Sequence, residues 1–283
     1  MSWQVIIALI SLLVPLLIGY IIPRYKKEAS CRLFKKLSKD VWNKVIRTHA
    51  VNLDPREIGI TTDLITEILH FHTENKKNIS VYAKEGKNEG TYGSDMDVFV
   101  EVIPGLFRWY ALQAKVLKKD KKYNFKSDPE KKAQWERLEY MEQETGCLAY
   151  YLLYNGMENR AFKNLKNECG KGFKTKEFGC SLVSLNKVAS AVREEKSKRI
   201  HFDVFHPLDA EPWHILACCP KRSNDIVLYE LDDIKKAKWN YKELSKTGVL
   251  SNNFNSNNSK LTNEMERFEW DPDFSLVFRL DLY

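Results

Sequence analysis

The sequence predicts an α/β domain preceded by one N-terminal transmembrane helix. Three observations carry that prediction. Residues 3–22, WQVIIALISLLVPLLIGYII, hold no charged side chain. After them, short β-branched and aromatic runs alternate with stretches of helical period, the pattern of a sheet with covering helices. The composition, 43% hydrophobic and 29% charged, is that of a folded protein and excludes a disordered or collagen-like chain.

The apolar segment is long enough to matter. At about 1.5 Å per residue it covers roughly 30 Å, the thickness of a bilayer's hydrocarbon core. Pro15 and Gly19 are tolerated in such a helix. Met1-Ser2 supplies no basic residue, and Tyr20-Ile21-Ile22-Pro23 offers no small-x-small cleavage site, so a removable signal peptide is disfavoured. The formal charge is +7, and nine Lys/Arg between Arg24 and Arg47 face only Glu28 and Asp40. The whole excess therefore lies just after the span. The positive-inside rule then sets a single pass with the C-terminal domain in the cytoplasm. Six cysteines, none in a Cys-x-x-Cys pair, are expected to be reduced there.

Residues 23–50 read as a basic juxtamembrane helix or linker, and 51–283 as the α/β domain. Within 29–47, Leu33, Phe34, Leu37, Val41, Val45 and Ile46 fall on one helical face. The lysines between them face headgroups, phosphates or solvent. Asp54-Pro55 resembles an N-cap with proline at the first helical position, opening a helix to about Phe71. Strands are expected at 78–84, 95–103 and 107–117, with Pro104-Gly105 turning the chain between the last two. A basic loop follows at 118–126. A helix from Asp128-Pro129 to about Thr145 and a strand at 147–154 come next. Weaker signals mark helices at 184–196 and 232–245 and strands at 226–229 and 274–280. Residues 252–259, NNFNSNNS, form a low-complexity loop.

Residues that suit chemistry fall between 67 and 134. Glu67 lies on the first helix of the domain. Asp95 and Asp97, two apart on a strand, share one face of the sheet, as do Gln113 and Lys115 on the next strand. A tight turn makes that pair antiparallel and brings the aspartates toward the Gln-x-Lys end. Carboxylates with an amide oxygen suit Mg²⁺, a hard cation that keeps several waters. A neighbouring lysine can orient or deprotonate a water, or neutralise developing charge. The alternative is that Lys115 and Asp97 form a satisfied structural ion pair. The run Lys118, Lys119, Lys121 and Lys122 suits a phosphate backbone or a solvated loop. Other features are weaker. His70 and His72 face different sides of their helix. His201, His206 and His214 have no acid or nucleophile at a telling spacing. Cys218-Cys219 and the tryptophans Trp213, Trp239 and Trp270 read as core residues. No glycine-rich nucleotide loop and no Gly-x-Ser-x-Gly occurs.

The order Glu67, then Gly93-Ser94-Asp95-Met96-Asp97, then Gln113-Ala114-Lys115, with Gln134 one helix later, resembles the PD-(D/E)xK, or restriction-endonuclease-like, nuclease superfamily in its Gln-x-Lys variant. The likeness covers roughly residues 55–220. With Tyr123, Leu138, Tyr150–Tyr154 and Pro212-Trp213, the order is also similar to an uncharacterised bacterial family of such proteins. The resemblance implies a mixed central sheet flanked by helices. It implies Mg²⁺ or Mn²⁺ held by Glu67, Asp95 and Gln113, with Asp97 kept as the alternative aspartate. Lys115 would then act on the attacking water and Gln134 would face the site. DNA would be the substrate, with no organic cofactor, and the likeness leaves room for a homodimer. An anchored nuclease of this kind suits defence against phage or plasmids. Gln113, neutral where an acid is usual, points to the alternative of an inactive fold serving as a tethered nucleic-acid-binding or scaffold module.

Overall fold

In a computed structural model, the described residues are 29, 31–74, 80–85, 94–103, 106–125, 134–163, 165, 172–218, 227–230 and 274–279. The expected span at 3–22, the helix at 232–245 and the loop at 252–259 lie outside them. Among the described residues, no helix is long and apolar enough to cross a membrane.

Helix α1 covers 31–50 and α2 covers Glu57–Glu74. The strands are β1 (Ser80–Glu85), β2 (Met96–Ile103), β3 (Leu106–Val116), β4 (Lys122–Asn124), β5 (Leu148–Tyr154), β6 (Cys180–Ser184), β7 (Arg199–His201), β8 (Ala210–Pro212), β9 (Tyr229–Glu230) and β10 (Phe274–Arg279). Helices α3 (Gln134–Thr145), α4 (Leu185–Glu194), α5 (Phe202–Phe205) and α6 (Ile215–Cys218) complete the set. The main sheet runs β1-β10-β2-β3-β5-β6-β8, with β9 pairing β3 as well. It is mixed. β2 and β3 form the expected antiparallel pair, whereas β3 and β5 run parallel because α3 carries the chain back between them. A separate two-stranded pair joins β4 to β7.

β3 is the spine of the sheet. From Phe107 to Val116 every residue is buried, as a central strand covered on both faces must be. Its odd-numbered residues Phe107, Trp109 and Ala111 pack with Leu138 and Met141 of α3 and with Val188 of α4. Its even-numbered residues Tyr110, Leu112, Ala114 and Val116 pack with α1 and α2 through Leu37, Val41, Ile60 and Leu64. Helices on both faces make this an α/β domain with a mixed sheet.

Helix α1 is an integral part of that core. Of the apolar face expected on a juxtamembrane linker, Leu33, Phe34, Leu37, Val41 and Val45 are buried and Ile46 half-buried, and Trp42 beside them is buried too. Trp213 donates from Nε1 to the Phe34 carbonyl at 3.1 Å, and the two rings lie 4.5 Å apart. The backbone of α1 comes so close to Gly179 and Gly156 that a Cβ on either would meet the Ser38 and Trp42 carbonyl oxygens. A disulfide joins Cys31, at the start of α1, to Cys218 at the end of α6. The expectation of reduced cysteines therefore fails for this pair, while Cys147 and Cys180 are free and buried.

Asp54 does not cap α2 in the expected manner. Its Oδ1 accepts instead from the Lys119 backbone N–H at 2.9 Å, pinning the α1–α2 loop to the turn after β3. The basic stretch 118–126, expected as a loop throughout, contains the short strand β4.

Candidate functional site

The site forms where β3 outruns its partner. β2 begins at Met96, opposite Leu112, so from Gln113 onward the β2-side edge of β3 has no strand beside it among the described residues. The N–H groups of Ala114 and Val116 point to that open edge. Two carboxylates take them in place of a strand. Asp95 Oδ2 accepts from Ala114 N–H at 2.8 Å, and Glu57 Oε1 accepts from Val116 N–H at 3.1 Å. Two residues of strand hold these acceptors about 7 Å apart along the edge. Between them, Lys115 is almost wholly buried, and its Nζ lies 3.9 Å from Glu57 Oε2.

Asp95 is placed by the backbone entering β2: its own N–H donates to the Leu112 carbonyl at 2.8 Å. Its Oδ2 also accepts from the Gln113 amide in a close contact. Burial pushes the Asp95 carboxyl up to about 7, against the opposing pull of Lys115, the Ala114 N–H and the Gln113 amide, while the Glu57 charge adds to the rise. A carboxylate held at such a cost in a protein interior favours a cationic partner. The amide oxygen of Gln113 is buried without a hydrogen-bond partner.

Two sequence-predicted residues stand elsewhere. Glu67 is exposed at 54% and pairs with Lys36 at 3.6 Å, on the outer surface of α2. Ten residues separate it from Glu57, which is about 15 Å of helix. The acid that reaches the site from α2 is Glu57, in its first turn. Asp97 shares the Asp95 face of β2, but it sits opposite Ala111, nearer the sheet interior. There it is fully buried and accepts from Trp109 Nε1 at 2.8 Å. The carboxylate beside the Lys115 ammonium is that of Glu57.

Gln134 opens α3, with its amide oxygen buried and without a partner. Tyr151, inside the Tyr150–Tyr154 stretch but given no role from sequence, lies beside Gln113 across the parallel β3–β5 pair. Its hydroxyl is buried and also has no partner. Burial, with the nearby Asp95 charge adding to it, raises its pKa. Lys118 and Lys119 lie against the α1–α2 loop, Lys118 Nζ reaching the Pro55 carbonyl at 3.5 Å and Lys119 Nζ the Asn52 amide oxygen. Lys121 is exposed and Lys122 half-buried.

Among the described residues, no group of three or more His, Cys, Asp or Glu side chains is placed to hold a metal ion. The donors gathered here are two carboxylates, Glu57 and Asp95, and the unpartnered oxygen of Gln113. All are hard oxygens, the donor type that Mg²⁺ and Mn²⁺ take, but the two carboxylates, on alternate N–H groups of the strand, stand further apart than ligands of one ion. Residues 30–271 match the model of a family of unknown function, DUF6615. The chain belongs to that family. Among curated proteins, none matches the chain. The match takes in α1, the sheet through β9 and every residue of the site, so the family's unit begins at or before α1 rather than after residue 50.

Proposed function

We propose that this DUF6615 member is a metal-dependent nuclease of the PD-(D/E)xK type, tethered to a bacterial inner membrane by residues 3–22 and hydrolysing phosphodiester bonds in DNA. One observation carries the reading. Two carboxylates from different elements are seated on alternate N–H groups of one strand edge, with the buried Lys115 between them. The order of these groups, Asp95 and then Gln113-x-Lys115, is the order the resemblance rests on, and Glu57 replaces Glu67 as the helical acid.

In this reading Glu57, Asp95 and Gln113 hold Mg²⁺ or Mn²⁺, directly or through its waters. The ion, when bound, lowers the pKa of a coordinated water and offsets charge on the phosphate. The chain's own groups do the rest. Ala114 and Val116 N–H fix the two carboxylates and keep them from swinging out to solvent. Glu57 holds the Lys115 ammonium at the edge of the strand, where it can orient a water and offset negative charge on the phosphate oxygens. The Asp95 carboxyl, pushed up to about 7 by burial, would be held ionised by a cation against it. Lys118 and Lys119 supply phosphate contacts beside the reaction centre.

The experiment is cleavage of linear and circular DNA by the full chain in detergent with Mg²⁺, Mn²⁺ or EDTA. Metal-dependent cutting supports the reading. A second reading, a tethered binding module without catalysis, draws on Gln113, a weaker ligand than the usual acid. Binding of DNA at low salt with no cutting under any metal would favour that reading.

A further inference from the structure

The turn between α1 and α2 exposes apolar side chains that the fold does not use. Val51 is 67% exposed, Leu53 61% and Ile58 59%. These are three of the five large hydrophobic residues exposed among the described ones, and they lie within eight residues of chain. The loop bearing them is not loose. Leu53 N–H donates to the Thr48 carbonyl at 3.1 Å and Asn52 N–H to the His49 carbonyl at 3.0 Å. Asp54 accepts from Lys119 N–H, and Lys118 reaches Pro55. The last of the three, Ile58, directly follows the site acid Glu57.

Cations rim this apolar tip. Arg56 is exposed within it, and Lys118 and Lys119 lie against its base. Beside it opens a cleft of about 360 Å³ lined by Lys118, Lys119, Lys121 and His49, with Glu158 as its one acid. Lys121 holds a left-handed backbone with φ 60°, a conformation a lysine rarely adopts. Apolar points flanked by positive charge match a polymer with flat apolar faces and regularly spaced anions. That is a nucleic-acid strand whose bases are out of the stack. A lipid surface fits less well: the tip stands at the C-terminal end of α1, roughly 28 Å from Cys31, whereas an anchor at 3–22 would join the other end.

We propose that the 51–58 turn and the lysine-lined cleft form a docking surface for an unpaired nucleic-acid strand, the bases resting on Val51, Leu53 and Ile58 and the phosphates on Lys118, Lys119 and Lys121. This rests on the nuclease reading and deepens it. It gives the site a preference for single-stranded, flapped or frayed substrate over blunt duplex.

The test is binding by fluorescence anisotropy in EDTA, so that no cutting intervenes. Full-length chain in detergent is titrated onto labelled single-stranded, flapped and blunt-duplex DNA oligomers. The surface predicts at least about tenfold tighter binding to the single strand than to the duplex. It also predicts that Val51→Ser, Leu53→Ser and Ile58→Ser together remove that preference while duplex binding stays within about twofold. These side chains are exposed, so the variant's unchanged thermal midpoint serves as the folding control. Lys118→Gln with Lys121→Gln weakens both forms and flattens the salt dependence. Equal affinity for the two forms in wild type overturns the proposal. So does a triple variant that keeps the preference, or one that instead loses binding to anionic phosphatidylglycerol vesicles while its DNA binding is unchanged. Strand-selective binding without cutting in Mg²⁺ refutes the nuclease reading and leaves the docking surface standing. Cutting without strand selectivity does the reverse.

Discussion

Lowering the pH should unfold this domain through its buried histidines, and His206 shows how far. The side chain is buried at the centre of a polar network. Tyr123 donates to Asn155 Oδ1 at 2.6 Å, and Asn155 Nδ2 donates to the Phe178 carbonyl at 2.7 Å and to Ser181 Oγ at 2.8 Å. Ser181 Oγ lies 2.7 Å from His206 Nε2, and His206 Nδ1 lies 3.3 Å from the Phe202 carbonyl. The Phe202 carbonyl can only accept, so the neutral imidazole carries its proton on Nδ1 and its Nε2 accepts from the Ser181 hydroxyl. Burial lowers its pKa to about 3, with the nearby Arg160 charge adding to the fall and the Phe202 carbonyl opposing it. The unfolded chain takes up this proton near pH 6.5, and the folded chain does not until about pH 3. The unfolded state binds more protons between those values, so stability is full above 6.5 and falls as the pH drops toward 3. From pH 7.5 to pH 5 the loss is about 2 kcal/mol from this one group. The assay is urea unfolding of the domain at both pH values for wild type and His206→Asn. The variant is less stable at pH 7.5, through lost packing on Phe202, but its loss between the two pH values is smaller by about 2 kcal/mol. A variant with the same pH slope as wild type would refute the neutral, buried assignment.

Other expectations follow from packing and pairing. Gly179→Ala drives a methyl into the Ser38 carbonyl of α1 and should cost at least 1–3 kcal/mol, read as a lower urea midpoint. Asp97→Leu leaves Trp109 Nε1 without its acceptor in the core and should destabilise by about 1–3 kcal/mol, yet leave any metal affinity unchanged once refolded. Asp95→Asn removes a carboxyl whose raised pKa favours the folded state at low pH, so its stability should fall more steeply on acidification than that of wild type. Alkylation of the denatured chain, followed by peptide mass, should modify Cys147 and Cys180 with or without reductant but Cys31 and Cys218 only after reduction. Opening that 187-residue loop should lower the thermal midpoint, with about 5 kcal/mol as the entropic limit.

Much of the fold was legible because its central strands are long and covered on both faces. FRWYALQAKV and LAYYLLY announce themselves by continuous apolar or aromatic character. The antiparallel β2–β3 pairing, which brings Asp95 toward Gln113, followed from strand geometry alone. The three-residue strands β4, β7 and β8 did not, because pairing rather than local pattern makes them strands. Lys-Tyr-Asn in a basic stretch reads as loop until Arg199–His201 lies against it. α1 was legible as an amphipathic helix, but its charge excess drew the reading toward a linker. Only tertiary contact shows that the apolar face is core. Glu57 was missed because an acid in the first turn of a helix is ordinarily a favourable dipole partner. The signal that could have found it is its place on the helix end nearest the close of β3, whereas Glu67 lies about 15 Å further on. The pairing of Cys31 with Cys218 could not be read from spacing.

In the proposed function Glu57, Asp95, Gln113 and Lys115 act as one catalytic centre on the edge of β3. The most direct measurement is DNA cleavage in Mg²⁺ by the full chain, with Lys115→Ala, Glu57→Gln and Glu67→Gln run side by side. The account predicts cutting by wild type, a loss on the order of 10²–10⁴-fold for Lys115→Ala and a similar collapse for Glu57→Gln. Glu67→Gln, on the outer face of α2 beside Lys36, should cut as well as wild type. Loss of cutting in Glu67→Gln with Glu57→Gln unaffected, or equal cutting by all four proteins, would contradict it.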